Sequence, residues 1–344
     1  MGKSQAEESD TMTAPRNVLE ISGLYVNYRT RRGDVKAVSN VDLNLEAGEK
    51  FGLVGESGSG KTTLAMAIMK MIKPPGFIPK GRIMVDGTDV LTLSESNLRK
   101  FRSSSVAIVP QAAMNALNPV RRIGQQINDG FIDHGTKLSK TDLRSRLKDL
   151  MDTVGLRSNV PELFPHELSG GMKQRVAIAM AISLNPKLII ADEPTSALDV
   201  VVQRQVIATL DEVQQKSQST ILLVGHDMGL MAQFSDRLGV MYAGELVEIG
   251  KSENIFSKPL HPYTEILISS LPDTKSKRKL VGIPGLPPTL IDPPTGCKFH
   301  PRCPKVFEPC SDIEPEKTIA DKKSFFACHL GSKKKQFMKS EQPK

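Results

Sequence analysis

The sequence predicts an α/β protein with a β-rich opening, a parallel-sheet core carrying a helical subdomain, and a small loop-rich C-terminal module. Three observations predict it. From Lys50 to Ile72, "KFGLVG", "ESGSG" and "KTTLAMAIMKMI" follow as a short apolar strand, a glycine turn and a helix with apolar residues every three or four positions. The later apolar runs "KLIIAD" and "TILLVG" are bounded by turn residues or helices, so they add parallel strands to the same core. Eleven of the 23 prolines lie between Pro259 and Pro309, too many for helices or central strands, so a separate module begins beyond Ile255.

Taken in order, residues 1–17 carry acidic side chains and no apolar run, which reads as a disordered tail and not a secretory signal. From Val18 to about Leu45 the short apolar runs "VLEISGLYVNY" and "KAVSNVDLNL", separated by "RTRRGD", predict antiparallel strands. Residues 18–255 form one domain on this reading, with a helical subdomain over about 111–175, where "KTDLRSRLKDLMDTVGL" has few strand signals. "RLGVMYAGELVEIG" adds a strand and a closing hairpin. Residues 256–330 make the loop-rich module and 331–344 a basic tail.

Composition narrows the class. Among the longest apolar stretches is Val176 to Leu184, about half of the roughly 18 to 20 residues that a membrane-spanning helix needs. A soluble, cytoplasmic chain is expected. The net charge of +8 is concentrated from Lys251 onward, where 17 Lys and Arg face 10 Asp and Glu and leave only +1 for the rest. No basic stretch is interleaved with aromatics, so this reads as a solvated tail and no nucleic-acid partner is expected. An acidic partner surface or an anionic membrane face stays open. The first 296 residues contain no cysteine, which fits a reducing compartment and argues against disulfides.

"GESGSGKT", Gly55 to Thr62, satisfies G-x-x-x-x-G-K-[ST] in the strand, loop and helix context that a phosphate-binding loop requires. Gly58 and Gly60 let backbone N–H groups converge on phosphate oxygens, the helix N-terminus adds a favourable dipole, and Lys61 supplies a cation. Gly55, Ser57, Ser59 and Thr63 complete the expected contacts, and Thr62 is placed to hold Mg²⁺. A bare glycine turn would not carry Lys and Thr in this register. Such a site also needs a carboxylate on the metal, and "LIIADE" offers Asp192 at a strand end with Glu193 beside it to orient water.

"ELSGGMKQR", Glu167 to Arg175, narrows the reading further. With the phosphate loop upstream and "DEPTSALD" downstream, the chain resembles the ATP-binding-cassette family over roughly residues 18 to 255. The resemblance implies ATP hydrolysis with Mg²⁺ by two cassettes facing head to tail. It assigns Ser169, Gly170 and Gly171 to the nucleotide of the other cassette. Gln111 after "VAIVP" would reach the metal or water and relay nucleotide state, Asp199 lies in "SALD", and His226 after "TILLVG" would contact the γ-phosphate. Tyr28 is the expected adenine-stacking aromatic, with Tyr25 nearby and core packing as the competing role. "GHD" replaces the more usual threonine before the histidine, and "PQAAMNALNP" lacks the more frequent acidic-proline pair. Neither departure removes a catalytic group.

"HPYTEILISSLP", "GIPGLPPTLIDPP" and "GCKFHPRCP" resemble the C-terminal segment of the ATPase subunits of dipeptide, oligopeptide and nickel importers, nearest to the first of their two subunits. That resemblance implies a second, non-identical ATPase subunit, two membrane permeases and, indirectly, an extracellular or periplasmic binding protein, with this chain peripheral on the cytoplasmic face. Peptide is the cargo it favours, with nickel or oligosaccharide open. A soluble regulatory or nucleic-acid ATPase is the alternative from another class. A coiled-coil DNA-repair ATPase is excluded by the short spacing of 108 positions between Lys61 and Ser169.

Cys297, Cys303, Cys310 and Cys328 are spaced C-x5-C-x6-C-x17-C. Zinc prefers pairs spaced C-x2–4-C, although His300 and His329 could stand in for a thiolate. Cys₄ ligation of an iron–sulfur cluster tolerates irregular spacing. Some of the importer ATPases that the chain resembles carry a [4Fe–4S] cluster at matching cysteines. A cluster, a zinc ion and reduced thiols without metal are the three outcomes, and the cluster is the expectation.

Overall fold

The protein is seen in a computed structural model that describes residues 16–111, 116–271, 282–321 and 323–331. The expected tails, 1–17 and 331–344, lie almost wholly outside the described residues, although β1 already begins at Asn17.

Strands β1 (Asn17–Thr30) and β2 (Gly33–Glu46) pair antiparallel, with Leu19, Ile21, Leu24 and Val26 buried along β1. Bulges after Ile21 shift the alternation so that both strands keep one apolar face inward. β3 (Lys50–Val54) leaves this sheet and starts the second one, while β4 (Gly76–Val85) and β5 (Thr88–Asp89) return to the first. β6 (Val106–Val109), β7 (Leu188–Asp192), β8 (Thr220–Gly225) and β9 (Arg237–Tyr242) then join β3 in the order β6-β7-β8-β3-β9, all parallel. β10 (Glu245–Lys251) turns back antiparallel to β9 as a hairpin.

Burial of this second sheet on both faces explains why its strands read as continuous apolar runs. Along β7, Ile189 and Ala191 join the core on the helical side, whereas Leu188 and Ile190 join the core against the first sheet. Ile221 and Leu223 of β8 take the first side, and Leu222 and Val224 take the second. The helices begin with α1 (Lys61–Ile68) and α2 (Glu95–Phe101). Between β6 and β7 stand α3 (Ile123–Asp133), α4 (Lys140–Thr153) and α5 (Gly170–Ile182). Ser139 caps α4 by accepting from the Asp142 amide, the substitute acceptor that a helix start needs. α6 (Val200–Ser217) and α7 (Met228–Phe234) follow β7 and β8. Among the described residues no helix is long and apolar enough to cross a membrane.

The C-terminal module carries more regular structure than its composition suggests. After α8 (Ser252–Ser257) and α9 (Pro262–Ser269), β11 (Lys317–Asp321) and β12 (Ser324–Ala327) extend the second sheet beyond β10. Phe325 and Phe326 pair with Ile249 and Glu248. Strands this short take their stability from the ladder and apolar edge that β10 presents, so local pattern did not reveal them. Tyr242 of β9, Tyr263 of α9 and Phe299 meet with ring centroids 4.6 to 5.3 Å apart, in one core with the helical side of the sheet.

Phe299 is 1% exposed, so Phe299→Ala should cost about 3–5 kcal/mol in urea unfolding while the transition stays single. A separate early transition for the module, or a loss below about 1 kcal/mol, would show that it does not share the core.

Candidate functional site

β3 ends at Val54 and the chain turns through Gly55–Gly60 into α1. Gly55 has φ +155°, and a Cβ there would sit 2.1 Å from the Met241 carbonyl; Gly60 has φ +103°, and its Cβ would sit 2.2 Å from the Ala37 carbonyl. Only glycine fits either position. Gly60 caps α1 with no side-chain bond, which leaves first-turn N–H groups as donors for an anion. Ser57 and Gly58 are exposed at the crest and Ser59 is buried below them. Lys61 is buried, and its Nζ donates to the carbonyls of Gly55 at 2.8 Å and Glu56 at 2.9 Å. Burial holds the Lys61 pKa below the usual lysine range, against the opposing pull of Glu193, Asp192 and Glu56. A cation held by loop carbonyls can transfer its bonds to phosphate oxygens.

Thr62 Oγ1 donates to Asp192 Oδ1 at 3.2 Å. Asp192 ends β7 at 1% exposure, and burial raises its pKa with Glu193 adding to the rise, while Thr62 and Lys61 oppose it. A hydroxyl and a buried carboxylate in contact are oxygen donors of the kind Mg²⁺ takes, so the pair fits that ion. Thr63 is half-buried in the same first turn.

Glu193 has φ +45°, a left-handed conformation that costs a non-glycine residue about 1–3 kcal/mol and clusters at functional sites. Its amide donates to the Val224 carbonyl at 2.8 Å. Gln111 Nε2 donates to Glu193 Oε2 at 2.8 Å, and His226 Nδ1 lies 3.5 Å from Glu193 Oε1. Gln111, Glu193 and His226 are thus brought together, and Ser196 Oγ donates to the Gln111 carbonyl at 3.2 Å. Residues 112–115, which follow Gln111, lie outside the described residues.

Ser169, Gly170 and Gly171 stand apart from this group. Among the described residues no hydrogen bond or ion pair joins them to Gly55–Thr62. Ser169 is exposed and caps α5, accepting from Met172 N at 3.3 Å, and Asp199 is exposed and caps α6, accepting from Val202 N at 3.0 Å. Gly171 packs so closely on α6 that a Cβ would meet Val202 Cγ1 at 2.5 Å. Tyr28 is half-buried on β1, opposite Val35 on one side and Gly76 on the other.

The four cysteines gather in the module. Cys297 N donates to the Cys310 carbonyl at 2.9 Å, Cys310 and Cys328 are buried, and all four are free. Burial, with smaller contributions from the other thiols, pushes Cys297 up to about 12 and Cys328 up to about 11, and raises Cys303. The expected iron–sulfur cluster finds no support in a preformed cage: among the described residues no group of three or more His, Cys, Asp or Glu is arranged to hold a metal ion. Spacing gave the residue types their proximity without giving the thiols a common centre.

Sequence reasoning missed Arg302, Tyr263 and Glu56. Arg302 forks onto the Glu56 carboxylate at 2.7 and 3.0 Å, and the Glu56 amide donates to Tyr263 Oη at 2.9 Å. The available signal was an arginine set between proline and cysteine in "HPRCP", in a module where few charges had a partner in view.

Comparison with known proteins agrees with this geometry. The model of the ABC transporter family matches residues 38–196, and that of the oligopeptide/dipeptide transporter C-terminal region matches residues 247–310. The oligopeptide transport ATP-binding protein OppD of Bacillus subtilis (strain 168) is 43% identical over 289 residues, covering 82% of this chain and 80% of that protein. The dipeptide transport ATP-binding protein DppD of Lactococcus lactis subsp. cremoris (strain MG1363) is 41% identical over 292 residues, covering 84% of each. A solved dimeric ATP-binding cassette in a post-hydrolysis state, bound to ADP and Pi, superposes with a TM-score of 0.61 at 28% identity over 68% of this chain and 98% of that one. A phosphate loop, a threonine hydroxyl on a buried carboxylate, and relatives matched over 82% and 84% of the chain have one common owner: the chain belongs to the ABC transporter ATPases, in the group that carries the oligopeptide/dipeptide transporter C-terminal region.

Proposed function

We propose that this chain powers peptide uptake as one of two cassettes on the cytoplasmic face of the cell membrane, docked on two permeases and paired with a non-identical ATPase subunit. The C-terminal region match and the relatives' transport of oligopeptides and dipeptides support the cargo class. An extracellular or periplasmic binding protein would deliver the peptide.

The observation that carries the catalytic reading is the Thr62–Asp192 contact, with Glu193 next in sequence and held by Gln111 and His226. Gly55 to Gly60, with Ser57 and Ser59, wrap the phosphates; Lys61 moves from loop carbonyls onto them, and Thr63 supports the turn. Thr62, Asp192 and Gln111 hold Mg²⁺, which when bound neutralises charge on the β- and γ-phosphates. Glu193 accepts a proton from the attacking water, and His226 steadies the γ-phosphate. Tyr28 stacks on adenine. Ser169, Gly170 and Gly171 serve the nucleotide of the other cassette, and Asp199 sits at the seam between the two.

The four cysteines are read as a structural [4Fe–4S] site, with zinc as the alternative. Four free thiols in one small module support it, since burial, with smaller contributions from neighbouring thiols, makes Cys297 and Cys328 costly to ionise and a bound cation would remove that cost. No redox step is required of it.

Glu193→Gln should leave MgATP binding unchanged and lower turnover by about 10²–10⁴-fold, the usual contribution of a general base. Undiminished hydrolysis would remove Glu193 from that role. Cells lacking the chain should lose uptake of labelled di- or oligopeptides and keep uptake of nickel and oligosaccharides; the reverse pattern would overturn the cargo assignment. Anaerobically purified protein should be brown with about four iron and four acid-labile sulfide per chain, and Cys303→Ser should be colourless. One zinc per colourless wild-type chain would give the site to zinc.

A further inference from the structure

Glu56 is the first variable residue of the phosphate-binding loop, and each of its polar groups is engaged. Its carbonyl accepts from Lys61 Nζ at 2.9 Å, its amide donates to Tyr263 Oη at 2.9 Å, and its carboxylate is gripped by Arg302. Two of those three partners come from the C-terminal module, 207 and 246 positions away in the chain.

Arg302 is built into place. Its side chain is 5% exposed, Nε donates to the Pro284 carbonyl at 2.7 Å, and Nη2 donates to the Gly285 carbonyl at 3.3 Å as well as to Glu56. Nη1 reaches Tyr242 Oη at 3.3 Å, and the guanidinium stands 5.8 Å from the Tyr242 ring centroid. The turn that bears it is closed by His300 N to the Cys297 carbonyl at 2.9 Å and Arg302 N to the Phe299 carbonyl at 3.0 Å. Planar, bidentate pairing of this kind fixes direction as well as charge, which lysine cannot do.

A carboxylate at this point is a liability for a site that must admit a polyanion. Glu56 belongs to the loop itself, and its carbonyl accepts from Lys61 Nζ at 2.9 Å, so its charge stands near the place where phosphates would sit. Arg302 offsets that negative charge and fixes the carboxylate in a bidentate pair. We infer that Arg302 is a positioning residue for ATP binding: it neutralises Glu56 and fixes the phosphate-binding loop from the C-terminal module, so the module acts on nucleotide affinity.

The inference rests on the nucleotide-binding reading of the loop and is independent of any metal at the cysteines. It is tested on the full-length chain by MgATP displacement of a fluorescent ATP analogue, with circular dichroism and melting temperature measured alongside. Arg302→Gln should raise the MgATP Kd about tenfold while the far-ultraviolet spectrum is retained, because the freed carboxylate both repels phosphate and releases the loop. Glu56→Gln added to Arg302→Gln should bring the Kd back to within about threefold of wild type, since the repulsive charge is gone. Arg302→Lys keeps the charge without the fork and should give about a threefold rise; it decides the matter where Arg302→Gln does not fold. A lower melting temperature with an unchanged Kd in the Arg302 variants would mark a purely structural residue and overturn the inference. So would a double variant that binds more weakly than Arg302→Gln alone. Wild-type protein that fails to bind MgATP would instead sink the reading of the loop itself.

Discussion

Parallel pairing of β3 between β8 and β9 is the constraint on which the site depends. It aligns Val54 with Gly225 on one side and Val240 on the other, while β7 runs in the same direction with Asp192 opposite Val224. β6 continues the series with Val109 beside Ala191. Every strand therefore delivers its carboxyl end to one edge, where ligands of open α/β sheets bind. The phosphate loop leaves β3 there, Asp192 and Glu193 leave β7, His226 follows β8, and Gln111 follows β6. A slip of one residue in any ladder would turn its inward and outward faces over and move the functional residue off the edge together with the core.

The electrostatics of that edge follow from the same geometry. Lys61 and Asp192 are both buried, and burial disfavours the charge on each, lowering the first and raising the second. Each opposes the other's shift, so each charge favours the other. Lys61 rests on loop carbonyls and Asp192 on a threonine hydroxyl, which are neutral acceptors and donors that phosphate and a divalent cation can outbid. Such groups are set before ligand arrives, and this preorganisation is what phosphoryl-transfer sites require.

Much of this was legible in the sequence because it is local. Strand, glycine turn and helix from Lys50 to Ile72, the apolar strand before Asp192, and the hairpin formed by β9 and β10 all announce themselves in one short continuous stretch each. What was not legible is non-local. Nothing near Glu56 points to an arginine 246 positions on, and nothing near Phe325 points to its pairing with Ile249 of β10. Spacing showed that the four cysteines share one small module, yet it did not show that Cys297 and Cys303 pack against the core that holds Phe299 or that Cys310 and Cys328 are buried. The positive φ of Glu193 is equally silent in the sequence, as is the bond from its amide to the Val224 carbonyl on the neighbouring strand.

Ser169 and Asp199 lie on an exposed face, apart from the residues gathered at the sheet edge. Ser169 spends its acceptor on the Met172 amide, yet its hydroxyl proton and the first amides of α5 remain as donors at an exposed helix start. Beside it Asp199 opens α6, followed by Val200 and Val201 at 65% and 66% exposure. Two exposed valines next to two polar caps form an arrangement with more to gain from a partner surface than from water. Gly171 explains how the two helix starts come close: with no side chain it lets α5 lie against Val202 of α6. A larger residue there would separate the helices and uncouple the donors of one turn from the carboxylate of the other. The close approach at Gly171 is therefore to this exposed face what the close approaches at Gly55 and Gly60 are to the phosphate loop.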